Sequence, residues 1–482
     1  MNDRPNAPAR WLMRLAPAYI LAYLLLILYA GFNPTAFSIV LRVALHPASA
    51  MLAALMLAQP GVFGRLETKL LLGYVAWIAV SSLCGVLLYG WQLYAAYQNT
   101  QFHMIFSALV CFPLPFALPV ERRKPVFRTM LCAFLTVCTA LCVLALITVL
   151  TQTPVLAADG RVLVGISQLH NDSRLVIAGM HPNATGSLCM LVLLLTLYLA
   201  GTSRHLLVRT LCGLAMIPQY AVIGLTDSRA AMIITTLGLA CAGFLWVWRQ
   251  RALKALSGAL LGVGLALVIS VASYFALTLS VRLVAQATAA WAQAPAPVEA
   301  LAREIESAVQ QAQTPGENPA PPDGANTPAL QLTEQRALMP DLQSFTGRTD
   351  IWRTVLYVLK THPQYLLTGI SHDGMAEAHP MLERFGGEAH NAYLQVLAAT
   401  GLPGFVALAV FLLLLFLSSL RVVLPRRGLS FGDQFLPVVL LCCCVGAMLE
   451  SIYLIGGQGP FHPLFYLVAG FVCCTPAAAQ EA

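Results

Sequence analysis

The sequence predicts an all-α polytopic membrane protein of about twelve transmembrane helices, with one long loop on a single side. Three observations carry this. First, 58% of the 482 residues are hydrophobic and only 10% are charged, with a mean hydropathy of +0.74; a soluble domain carries about 25% charged residues. Second, apolar runs of about 20 residues, the length that crosses a bilayer as a helix, recur along the chain. Third, Lys and Arg gather in alternate loops, as membrane topology requires.

In order, the spans fall near residues 16–32, 36–58, 70–90, 101–119, 130–151, 183–201, 207–226, 230–248, 255–280, 392–420, 435–456 and 460–476. The second is the weakest, because Arg42, His46 and Pro47 lie inside it and could break it. The first is read as a retained span and not a cleaved signal, since no small-residue cleavage site follows it. Membrane helices thus occupy 1–280 and 392–482, and the long loop occupies 281–391.

The alternate loops around Arg14, Lys69, Arg122 to Arg128, Arg204, Arg249 and Arg426 hold 17 of the 28 basic residues and only four acids (Asp3, Glu67, Glu121 and Asp433). They are read as cytoplasmic, with both termini inside. The net charge of +7 is then a topology signal and not an argument for nucleic-acid binding. The thirteen cysteines sit almost wholly within spans, where Cys behaves as a small hydrophobe, and none falls in the long loop.

The long loop divides in two. Its first half, from Ala294 to Pro328, is rich in Ala, Pro and Gln, which predicts an amphipathic helix over Pro297–Gln313 and disorder over Thr314–Pro328. In its second half Trp352, Leu356 and Leu359 recur at helical spacing, predicting a short helix over Thr349–Lys360. A Gly-containing segment then leads to His390 and Asn391, where the loop enters a hydrophobic helix.

His390 is the leading catalytic candidate, because an imidazole ionises near neutral pH and can take a proton from a hydroxyl. Its other reading is an interfacial anchor. Asn391 could orient that ring or bind a sugar hydroxyl, and Tyr393 could do likewise or sit in an aromatic belt. Arg229, in a tight hairpin after Asp227 and Ser228, and Arg348, after Gly347, offer the planar donor fork that matches a phosphate. Arg353 lies about 140° further round the helix than Arg348, so the two cannot both face one ligand; it suits a pairing with Asp350. Arg161 and Arg174, with His170 and His181, lie in the next longest outer loop, where a solvated role competes with ligand binding. Arg42 and Glu450 are charges within apolar runs, and their roles stay open.

Four of these features, in this order, resemble the O-antigen ligase/polymerase superfamily: His181-Pro182-Asn183 opening a helix, the Ser228-Arg229 hairpin, Gly347-Arg348 with Ile351-Trp352, and His390-Asn391 followed by Gly401-Leu402-Pro403-Gly404. The resemblance covers about residues 180 to 420 and is nearest to O-antigen ligase. It implies a fold similar to other large membrane glycosyltransferases, lying in the bacterial inner membrane with its active site on the periplasmic face. It implies a glycosyltransferase whose donor is a glycan on undecaprenyl diphosphate and whose acceptor is lipid A–core, both reached from the surrounding lipid. It further implies no nucleotide, metal or other cofactor. In such an enzyme Arg229, Arg348 and, as a third candidate, Arg161 would hold the diphosphate, while Asn391, Arg353 and Tyr393 would bind or orient substrate around His390. O-antigen polymerase and protein O-oligosaccharyltransferase remain alternatives within the superfamily. A transporter of lipid-linked glycans is the alternative outside it, disfavoured by the lopsided loops and the scarcity of charges at mid-membrane.

Overall fold

The computed structural model describes residues 7–30, 32, 45–89, 106–157, 159–169, 172–250, 255–293, 348–370, 374–384, 387–424, 429–454 and 459–480. The helix and the disordered stretch expected within 294–328 lie outside the described residues, as do Arg42, His170 and Gly347.

Twelve of the helices among the described residues matter here: α1 (Ala7–Ala30), α2 (His46–Leu57), α3 (Leu66–Tyr89), α4 (Val120–Thr151), α5 (Pro182–Thr202), α6 (Leu206–Leu225), α7 (Arg229–Trp248), α8 (Ala255–Gln293), α9 (Arg348–Thr361), α10 (Ala392–Val423), α11 (Phe431–Gly446) and α12 (Phe461–Gln480). Seven of them, α3 to α8 and α10, are long and apolar enough to cross a membrane. The other apolar runs form shorter apolar helices, including a π-helical turn at Ser107–Cys111 that continues to Ala117. Each span read from the sequence therefore overlaps an apolar helix, and seven of those helices meet the length and composition of a crossing among the described residues.

Helix α5 is the axis of the bundle. It is apolar all round, as a helix enclosed by others must be, and Leu188 to Leu195 are buried without a break. It packs against α4, α6, α7 and α11. Helix α10 packs on α3 and α12, and α8 lies along α7 at the periphery with one face exposed. Helix α8 runs to Gln293, past the expected end at 280, because Val281 to Ala289 offer no Gly or Pro to stop it.

Two departures from the expected fold bear on the site. The segment 152–182 is not purely loop: β1 (Val155–Leu156), β2 (Val162–Leu169) and β3 (Asp172–Val176) form an antiparallel sheet, with Gly165 opposite Val176 and Leu169 opposite Asp172. The β-branched and aliphatic residues of Val162 to Ile166 suit a strand, and an all-α reading overlooks them. The apolar run expected to continue to 456 breaks at Gly446, and a turn puts Glu450 outside α11 in extended backbone before a 3-10 turn at Ser451–Tyr453.

Helix α10 is kinked at Gly401, whose φ of +68° is outside helical space. Pro403 lacks an N–H, so the turn before it has carbonyls without helical partners. Each finds another donor: Ile370 N–H donates to Ala398 O at 2.8 Å, Ser81 Oγ to Ala399 O at 2.9 Å, and Trp77 Nε1 to Thr400 O at 2.7 Å. The turn Tyr365–Thr368 from the long loop packs into this kink, backbone against backbone, at Gly369 and Gly401.

Candidate active site

The kink leaves Ala392–Thr400 as a short helical segment with His390 at its head. Asn391 is the N-cap residue, a position Asn favours, and its Oδ1 accepts from Leu394 N–H at 3.0 Å. His390 itself has φ +48°, a left-handed conformation uncommon for a residue with a Cβ. Its neighbours impose it. Ala389 N–H donates to Gln395 Oε1 at 2.6 Å, Trp352 Nε1 of α9 donates to Ala389 O at 2.9 Å, and Ala392 N–H donates to Ala447 O at 2.7 Å. Gln395 is buried and its Nε2 also donates to Gly387 O at 3.1 Å, so one side chain folds the turn that presents His390. A strained residue clamped on both sides in this way is a mark of a functional position.

The ring of His390 meets Glu450. Nδ1 lies 3.3 Å from Glu450 Oε2 and 3.9 Å from Glu388 Oε2. Glu450 is 4% exposed, and a buried carboxylate survives only when donors surround it. Here they do: Arg348 Nη2 donates to Oε1 at 2.5 Å and Asn183 Nδ2 donates to the same oxygen at 3.0 Å. One acid thus gathers residues from the starts of α5, α9 and α10, all at one end of the bundle.

The charges follow from this geometry. Burial alone would lower the pKa of His390. The hydrogen bond to Glu450 and the charges of Glu450 and Glu388 outweigh burial and the opposing Arg348 guanidinium, so the pKa lies above the ordinary 6.5. Burial alone would raise Glu450, but the bond to His390 and the charges of Arg348, His390 and His181 hold it below the usual 4.5. Glu450 is therefore ionised at neutral pH, and His390 keeps its proton to a higher pH than a free imidazole does.

Arg229 opens α7 directly after its N-cap Ser228, in the tight turn expected. That turn is tied to the cluster: Arg174 of β3 donates to Thr226 O at 2.8 Å and Asp227 O at 3.1 Å, and also to Asn183 Oδ1 at 2.8 Å. Arg174 is thus a clamp and not the solvated loop residue its position suggests. Tyr393 donates its hydroxyl to Cys444 O at 2.9 Å and packs α10 on α11 beside an apolar cavity of about 380 Å³, which Phe405, Leu412, Phe416 and Leu441 also line. Arg353 makes the expected local pair with Asp350 at 3.4 Å, on an exposed face. Arg161 pairs with Asp159 at 3.2 Å in the turn before β2, also exposed. The structure therefore joins His390 and Arg348 through Glu450, sets Asn391 beside them as a cap, and leaves Arg161 and Arg353 in local pairs.

Sequence reasoning does not find the role of Glu450. The one available signal is an acid within an apolar run, at the same end of the bundle as His390.

Among comparisons with known proteins, residues 211–409 match the family model for O-antigen ligase. No curated protein matches the chain. The matched stretch holds the Ser228-Arg229 turn, α9 with Arg348, and the His390 turn with the kinked start of α10. The match covers residues 211–409 of the 482, and across that stretch the chain is similar to the O-antigen ligase family.

Proposed function

We propose that this protein transfers a glycan from undecaprenyl diphosphate to a sugar hydroxyl of lipid A–core on the periplasmic face of the inner membrane. The observation that supports this best is the buried Glu450 carboxylate on Nδ1 of His390. An ionised carboxylate only accepts hydrogen bonds, so it holds the Nδ1–H tautomer and leaves Nε2 as the basic atom. The acceptor oxygen attacks the anomeric carbon, its proton passes to Nε2, and the bond from that carbon to the diphosphate oxygen breaks. The diphosphate leaves with the bonding pair, and the configuration inverts in this single displacement. No nucleotide is consumed, because the leaving group is already activated.

Negative charge grows on the diphosphate as it departs, and Arg348 and Arg229 stabilise it by fixed charge-assisted bonds. A guanidinium has five N–H donors, and the bond to Glu450 uses one of them. Asn391, with its Oδ1 engaged in the cap, keeps its amide N–H groups for a sugar hydroxyl. The apolar cavity beside Tyr393 suits the donor's isoprenoid tail, since it begins three residues after His390 and runs down α10.

A lipopolysaccharide gel from a deletion strain, with and without the chain restored, tests the assignment. Bare lipid A–core with polymerised glycan held on its lipid carrier is the expected result. Loss of long chains, while single repeats still reach the core, would make the protein a polymerase.

A further inference from the structure

Asn183 opens α5 and appears in none of the steps above, yet its amide is fully engaged. Nδ2 donates to Glu450 Oε1 at 3.0 Å and Oδ1 accepts from Arg174 Nη2 at 2.8 Å. An amide can be flipped in principle, but not between these two partners. A guanidinium has no acceptor and a carboxylate no donor, so only one orientation satisfies both. Arg174 therefore fixes which end of Asn183 faces Glu450.

The direction matters because Glu450 has rival claimants. With Asn183 and Arg348 both on Oε1, the second oxygen is turned to His390 Nδ1. Arg348 alone favours the fork geometry that takes both carboxylate oxygens, which would draw Oε2 from the ring. We propose that Asn183 and Arg174 are positioning residues that hold the Glu450 carboxylate in the rotation that serves His390. Arg174 also grips Thr226 O and Asp227 O. The same side chain thereby sets the turn carrying Arg229 relative to the proton acceptor, so the small sheet acts as a brace between the two halves of the site. This rests on the reading of His390 as the proton acceptor.

The test uses purified full-length protein in detergent and two readouts. The first is the titration of His390 by nitrogen NMR of labelled histidine, assigned by the signal lost in His390→Asn. Among the described residues the groups facing this ring are Glu388, Glu450 and Arg348, with His181 acting on Glu450; none of these is altered by the variants. In Asn183→Leu the midpoint of His390 falls by about one pH unit, the scale of a lost charge partner. Arg174→Gln, which frees the amide to turn, moves it in the same direction and serves if Asn183→Leu does not fold. The second readout is transfer, in which kcat falls about tenfold and the donor KM stays within about twofold, as for loss of an outer-shell orienting contact. A purely structural role would lower the yield of folded protein and leave the His390 midpoint where it was. An unmoved midpoint in a folded variant overturns the proposal. A shifted midpoint in the variants, beside a parent protein that itself transfers no glycan, upholds the brace and overturns the proposed function instead.

Discussion

His390 carries a left-handed backbone at a position where glycine would cost nothing, so the imidazole sits there at a cost in local strain. Its removal is correspondingly informative. His390→Ala should leave the folded protein in the membrane and lower transfer by about 100-fold to 10,000-fold, the usual contribution of a positioned base; wild-type turnover would remove His390 from the mechanism. Glu450→Gln offers a second reading with a defined sign. The rate requires His390 neutral at Nε2, so it climbs as pH rises through the raised pKa of that ring. Replacing the carboxylate removes the main cause of the raised value, and the rising limb of the pH–rate profile should move to lower pH while the plateau falls. A limb that stays in place would show that Glu450 does not set the protonation of His390. Linkage runs the same way for stability. A raised histidine pKa stabilises the fold below about 6.5 and loses that contribution as pH rises through the folded value, while a depressed carboxylate pKa stabilises it above about 4.3 and loses that as pH falls through its own. Of these residues, His390 and Arg348 can be read from sequence because they stand in polar segments, where an imidazole or a guanidinium is conspicuous. Glu450 cannot, since Ala447 to Leu449 and Ile452 to Leu454 flank it with apolar side chains, and nothing local announces that α11 stops at Gly446.

At the level of elements, the kink in α10 holds the site in register. Gly401 has φ +68°, and a Cβ there would come within 2.6 Å of Leu367 O and 2.8 Å of Leu366 O. Gly401→Ala should therefore destabilise the protein by at least the 1–3 kcal/mol typical of strained backbone, read as a fall in Tm in detergent. Trp77→Phe keeps the ring but strands Thr400 O, at about 1–3 kcal/mol for a buried polar group left unsatisfied; an unchanged Tm would mean that water replaces the indole. Gly401 and Pro403 are the local signals of the break, which the expected span over 392–420 passes over. The partners of the freed carbonyls are not, because Trp77 and Ser81 lie 323 and 318 residues away in the chain, and hydropathy carries no information about such pairings. The same limit hides the small sheet, whose three strands are paired across a polar loop that gives no sustained alternation.

For the whole molecule, apolar length and the distribution of Lys and Arg predict which end faces which compartment, and the structure adds that the candidate site lies at one end. Labelling with a membrane-impermeant maleimide checks the assignment. In intact cells, Thr361→Cys should react and His205→Cys should not, each compared with the parent chain and its thirteen cysteines. The reverse pattern would put His390 in the cytoplasm, where lipid A–core presented outside is beyond its reach. The other end of the bundle has its own fastening, Lys124 on Asp433 at 2.8 Å and Arg249 on Gln434 and Leu429 O, which ties α4 and α7 to the start of α11.

The amide of Ile370 has one more consequence. It belongs to the long loop between α8 and α10 and to none of that loop's helices among the described residues, yet it donates to a carbonyl inside the bundle. Backbone amides in loops ordinarily trade their hydrogens with solvent quickly, because local opening is easy. Opening here would uncap α10 at its kink, on the helical segment that His390 heads. Ile370 should hold its hydrogen in deuterated buffer about as long as the amides of α10 itself, which would make this stretch of the loop a fixed support beneath the candidate site.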